Sequence, residues 1–125
     1  MTRRTILTTL SFAAAFARPV KGAKLSARRP KREGGRRAET ENSGPVLFEL
    51  TADERWPIRG LDPALHIGGA VLDSYRFGNA ENTTLIFTCY DASQLQEGAA
   101  VFLRYGQDES SRIDFPNFAW STVKD

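Results

Sequence analysis

The chain has 125 residues, 41% of them hydrophobic and 26% charged, with a formal net charge of +2, which leaves room for one domain. Its single cysteine, Cys89, and single histidine, His66, exclude an intramolecular disulfide and a Cys/His zinc or iron–sulfur site, which needs about four such ligands. The net charge hides two segments of opposite character: residues 1–37 hold eleven Lys and Arg against the lone acid Glu33, and residues 38–125 hold six basic against fourteen acidic residues. Such polarity points to a targeting segment or basic tail ahead of an acidic domain.

Residues 1–17 have the anatomy of an export signal. Arg3 and Arg4 precede an apolar run over 6–17 that is broken only by Thr8, Thr9 and Ser11, and Ala15-Phe16-Ala17 forms an A-x-A cleavage site. The expected cut follows Ala17, with Ala23 as the farthest alternative. The run is too short for a stable membrane span, which needs about 20 residues. Thr2-Arg3-Arg4-Thr5-Ile6-Leu7 resembles the signal of twin-arginine translocation substrates, departing from it at Thr8, where that class usually shows Lys. The resemblance covers about the first 23 residues. It implies the twin-arginine translocation machinery as a partner during export, passage of a folded protein across a bacterial inner membrane, and a periplasmic or secreted destination. A general secretory signal is an alternative. So is a mitochondrial presequence in a eukaryotic host, because no acid occurs before Glu33.

Residues 18–44 have few large apolar residues and no clear period, so a disordered basic linker is expected there. Arg28, Arg29, Lys31, Arg32, Arg36 and Arg37 would suit a phosphate-binding arm for nucleic acid or anionic lipid. No aromatic residue is interleaved with them to stack on bases, which argues for a solvated linker and against nucleic acid.

A β-domain is expected over 45–125. Val46 to Thr51 alternates with Val46, Phe48 and Leu50 on an apolar face, as a half-buried strand does. Residues 52–62 read as a loop, and Asp62-Pro63-Ala64-Leu65-His66 as a helical turn with Asp62 as its N-cap. One strand is expected over 70–77, then turn residues Gly78 to Asn82, then an antiparallel return over 83–90. That return, Thr-Thr-Leu-Ile-Phe-Thr-Cys-Tyr, is the densest β-branched and aromatic run in the chain, with Leu85, Phe87 and Cys89 on its apolar face. Asp91 is placed to cap a helical turn before Gly98. A strand over 99–105 should turn Val101, Leu103 and Tyr105 inward and Phe102 and Arg104 outward, and an edge strand over 113–123 should be interrupted by Pro116. Four to five short strands with polar turns and no long amphipathic helix predict a mainly β fold, a small antiparallel β-sandwich or open barrel.

Exposed aromatics are how β-sandwich modules hold ligands and partner surfaces, which makes Trp56, Tyr90, Phe102, Tyr105 and Trp120 the candidate binding residues. His66 and the turn carboxylates Asp108, Glu109 and Asp114 are the groups a hydrolase would use. No Gly-flanked nucleophilic Ser accompanies them, and Cys89 sits among apolar or neutral neighbours, as a buried strand cysteine does. No catalytic residue, cofactor or metal site is therefore assigned. The expected role is a non-enzymatic domain that binds a protein partner or ligand in the periplasm, an accessory subunit of a periplasmic enzyme being one such role. A small hydrolase using these carboxylates or His66, and nucleic-acid binding through 18–37, are the alternatives.

Overall fold

The computed structural model describes residues 19–30, 44–106 and 111–124. The expected signal residues Arg3, Arg4, Ala15 and Ala17 lie outside them, as do Asp108 and Glu109. The described residues form nine strands in two sheets, antiparallel except for one parallel pair. Strands that follow one another pair within a sheet, and the chain then changes sheet. β1 (Lys24–Arg28) pairs with β2 (Val46–Thr51), β3 (Ala64–Ile67) with β4 (Ala70–Leu72), β5 (Tyr75–Phe77) with β6 (Thr84–Cys89), and β7 (Val101–Arg104) with β8 (Ile113–Phe115). β9 (Val123–Lys124) returns to lie parallel to β1. The result is a five-stranded sheet in the order β5-β6-β2-β1-β9 and a four-stranded sheet in the order β4-β3-β7-β8.

Period-2 alternation places the core between these sheets. Across the larger sheet the register aligns Leu25, Leu50 and Leu85 in one inward row and Ala27, Phe48 and Phe87 in the next; Phe77 and Tyr75 of the edge strand β5 continue these rows but are exposed. Across the smaller sheet the inward rows are Leu72, Leu65, Leu103 and Ile113, and Ala70, Ile67, Val101 and Phe115. Residues of both sheets belong to one hydrophobic cluster, joined by Trp56, Ile58 and Phe118 from the connections. Phe48 meets Phe118 edge to face with ring centroids 6.2 Å apart, a geometry that suits the ring quadrupoles.

The mainly β fold, the inward faces of β2, β6 and β7, and the Asp91 cap agree with the sequence reading. Asp91 accepts a hydrogen bond from the Ser93 amide at 3.1 Å, at the head of a 3₁₀ turn over Ala92–Gln94. Several expectations need correction. Residues 24–28, taken as disordered linker, form β1. Lys-Leu-Ser-Ala-Arg alternates, sending Leu25 and Ala27 inward, and pairing with β2 on one side and β9 on the other satisfies its backbone. Of that expected linker, residues 18 and 31–43 are outside the described residues. The helical turn at Asp62–His66 does not form, because Ala64–Ile67 pairs with both β4 and β7 and a ladder on each side outweighs one local turn. The single strand over 70–77 is two strands, with Asp73 and Ser74 carrying the chain from one sheet to the other. Splits of this kind and β1 raise the strand number above the four to five expected.

Phe48 is almost fully buried at the centre of the larger sheet. Its replacement by Ala should cost about 3–5 kcal/mol, read as a lower urea midpoint at unchanged slope. A loss under about 1 kcal/mol would contradict the packing described for that row.

Candidate functional site

The outward face of the four-stranded sheet carries one row of functional side chains, because directly paired residues project to the same side. Its register sets Val71, His66, Phe102 and Asp114 side by side on β4, β3, β7 and β8. The His66 and Phe102 rings stack with centroids 4.5 Å apart and planes 5° from parallel. The Arg112 guanidinium lies over the Phe102 ring at 3.8 Å, and Arg112 Nε donates to Asp114 Oδ1 at 2.9 Å. With side chains 39% and 70% exposed, this ion pair adds at most about 1 kcal/mol of stability. Its effect is geometric: it holds the guanidinium flat against the ring, where a cation gains a further ~0.5–1 kcal/mol from the π face.

The hairpin beneath fixes this arrangement. Ser111, buried beside Arg112, donates through its hydroxyl to the Tyr105 carbonyl and accepts from the Tyr105 amide at 3.2 Å. The start of β8 is thereby tied to the end of β7, and Arg112 and Asp114 both fall on the outer side. Arg104 lies two residues from Phe102, on the same face of β7. At the other end of the row Val71 is 56% exposed and forms part of the rim of an open groove of about 460 Å³, which Gly68, Gly69, Gln94 and Gln96 also line. The face thus combines an exposed aliphatic group, two stacked rings, two guanidinium groups and neutral amides.

Not all the aromatics expected to bind are available to do so. Trp56 and Tyr105, 2% and 1% exposed, are core residues packed edge to face at 6.5 Å. Trp56 also donates from its indole N–H to the Thr83 carbonyl at 3.0 Å, which locks it inside. The remaining three occupy separate places. Tyr90 is 72% exposed, with its hydroxyl 3.4 Å from that of Ser74. Trp120 packs edge to face on Phe118 and under the Arg29 guanidinium. Phe102 alone belongs to the row described above. Val71, Arg104 and Arg112 escaped the sequence reading, since a cross-strand row exists only once the register is known.

No carboxylate among the described residues hydrogen-bonds to the His66 imidazole, and Asp114 is engaged by Arg112. Desolvation by burial, then the positive charges of Arg104 and Arg112, hold the His66 pKa below its ordinary 6.5. Burial pushes the Cys89 thiol up, and its Sγ–H donates to the Asp91 carbonyl at 3.4 Å, the opposite of an activated nucleophile. Among the described residues no group of three or more His, Cys, Asp or Glu is placed to hold a metal ion, and no helix is long and apolar enough to cross a membrane.

Because folding lowers the His66 pKa, the unfolded chain binds more protons than the native one between the folded value and 6.5. Stability should therefore fall as pH is lowered below 6.5, and His66→Gln should flatten that part of the profile. An NMR titration should give a midpoint below 6.5 that rises in Arg112→Gln; a wild-type midpoint at or above 6.5 would contradict the electrostatics described. No family model, curated protein or solved structure matches the chain, and the reading of this face rests on its own geometry.

Proposed function

We propose that this chain is an exported, non-enzymatic β-domain that binds a protein partner or ligand in the periplasm through the outward face of its four-stranded sheet. The observation that carries the reading is the His66, Phe102 and Arg112 stack, aligned by register with the exposed Val71. Stacked rings under a guanidinium present a large contact area at low entropic cost, and aromatic and Arg side chains are the residues that dominate binding energy at interfaces. Arg104 and Arg112 favour a partner that brings an acidic or other hydrogen-bond-accepting group against a flat apolar surface. Export enters through the resemblance of residues 2–7 to a twin-arginine signal and the A-x-A site at Ala15 to Ala17.

The hydrolase reading has less support. Asp114 is held by Arg112, and His66 lies flat on Phe102 with no carboxylate among the described residues hydrogen-bonded to it, whereas a general base needs a positioned partner and a proton within reach.

The test is Phe102→Ala combined with Arg112→Ala in the exported protein, compared with wild type by crosslinking in intact cells and then by titration of the complex recovered. The double variant should stay folded with its thermal midpoint lowered by no more than about 10 °C and bind about tenfold more weakly or worse, a loss of ~1.4 kcal/mol or more. Equal binding by both proteins would remove this face from consideration. Hydrolysis of a model ester or glycoside that disappears in His66→Ala or Asp114→Ala would replace the binding reading with the enzymatic one.

A further inference from the structure

Of the large hydrophobic side chains that stay exposed among the described residues, Val71, Tyr75, Phe77 and Tyr90, three gather at one edge of the larger sheet. Tyr75 and Phe77, 39% and 37% exposed, belong to β5, and the Tyr90 hydroxyl lies beside that of Ser74, the residue before β5. β5 is an edge strand, paired with β6 alone. The direction of its backbone groups follows from two flanking bonds: the Thr88 amide donates to the Ser74 carbonyl at 3.1 Å and the Gly78 amide to the Thr84 carbonyl at 2.8 Å. Backbone groups in an antiparallel ladder point alternately to either side. Ser74, Arg76 and Gly78 therefore turn theirs toward β6, and the N–H and C=O groups of Tyr75 and Phe77 point away from the sheet, with no backbone partner among the described residues. The side chains alternate too. Tyr75 and Phe77 extend the rows of Phe87 and Leu85, with the Tyr75 ring 5.8 Å from that of Phe87, while Arg76 sits on the outward face opposite Ile86.

We infer that β5 takes up an extended segment of a partner protein as an added strand, and that this segment reads apolar, acidic, apolar. A strand added antiparallel sets one residue opposite each of Tyr75 and Phe77, bonding to both their N–H groups and both their carbonyls. The side chains of those two residues fall on the inward face against the exposed rings, where apolar groups lengthen the core rows. The residue between them faces Arg76, a cation without an ion-pair partner among the described residues, so a carboxylate there is the complementary charge. The same register disfavours a second copy of this chain. Pairing β5 with itself so that Tyr75 and Phe77 both bond sets Arg76 directly opposite Arg76, like charges face to face. The β8 edge, by contrast, ends at Pro116 and carries the Arg112–Asp114 pair, features that blunt an edge. The β5 site is separate from the stack on the smaller sheet and rests neither on that reading nor on export.

The test uses the full chain, isotopically labelled, and a soluble synthetic peptide carrying Val-Glu-Val between polar residues. Its addition should shift the Tyr75 and Phe77 amide resonances saturably and slow their hydrogen exchange about tenfold at ~10 times its Kd. The same peptide N-methylated at both valines, which cannot donate to the Tyr75 and Phe77 carbonyls, should have no such effect. A Val-Lys-Val peptide should bind at least about threefold more weakly, and Arg76→Glu should reverse that preference. Phe102→Ala with Arg112→Ala should leave binding of the Val-Glu-Val peptide unchanged. The inference is overturned by no saturable change at millimolar peptide, by equal binding of the N-methylated or the Val-Lys-Val peptide, by changes centred on another element, or by loss of binding in the double variant. Protection of Tyr75 and Phe77 that grows with protein concentration alone would assign the edge to a second copy and overturn it as well.

Discussion

The pairing of β1 with β2 is the constraint on which the rest of the larger sheet depends. It runs over five residues, from Lys24 opposite Thr51 to Arg28 opposite Leu47. On its far side β1 carries β9, whose registered partner it is. Without β1 the strand β2 would become an edge, with a row of unpaired backbone groups, and β9 would lose its seat. The inward rows would also lose Leu25 and Ala27. A basic stretch expected to be linker and the far end of the expected edge strand over 113–123 thus close the sheet together. Since Ala27 meets Val123, this closure joins distant parts of the chain and is of the slow, high-contact-order kind.

The alternation of strand pairs between sheets leaves two outward faces of different chemistry. On the larger sheet one outward row reads Ser26, Glu49, Ile86 and Arg76, in which Ile86 is buried, Glu49 half-buried, and Ser26 and Arg76 exposed. On the smaller sheet the corresponding row gathers Val71, His66, Phe102 and Asp114, with Arg112 laid on the ring beside them. The same hydrogen bonds that build the sheet therefore organise the side chains proposed to bind. Ser111 shows how closely the two are joined, since its hydroxyl ties the hairpin on which Arg112 and Asp114 ride.

Much of the fold was legible in the sequence, and for a common reason. β2, β6 and β7 alternate strictly between a wholly apolar face and a mixed one, and a pattern of period 2 has one solution when one face must be buried. The Lys24–Arg28 strand has the same alternation, but its inward residues are Leu25 and Ala27 and its outward ones are mostly charged. Composition alone then resembles a linker. Ala64–Ile67 was misread because Asp62 and Pro63 signal a local helix start, while the ladders that decide the matter come from β4 and β7. Phe102 and His66 were picked out singly as chemistry-bearing residues. That they stack, and that Arg112 covers one of them, depends on cross-strand register, which no local pattern contains. Trp56 and Tyr105 illustrate the converse: aromatic residues suited to a binding surface are equally suited to filling a core, which the alternation with Val101 and Leu103 already signals for Tyr105 and nothing beside Trp56 does.

The most direct test of this account is native-state hydrogen exchange on the processed or full-length chain, read at the amides of Lys24–Arg28. If β1 is an integral strand, its amides that face β2 are protected to nearly the same degree as those of β2 itself, because both open only when the sheet does. Exchange of the whole segment at the rate of an unstructured peptide, beside a protected β2, would show that the sheet closes without it and would contradict the architecture on which the position of β9 rests.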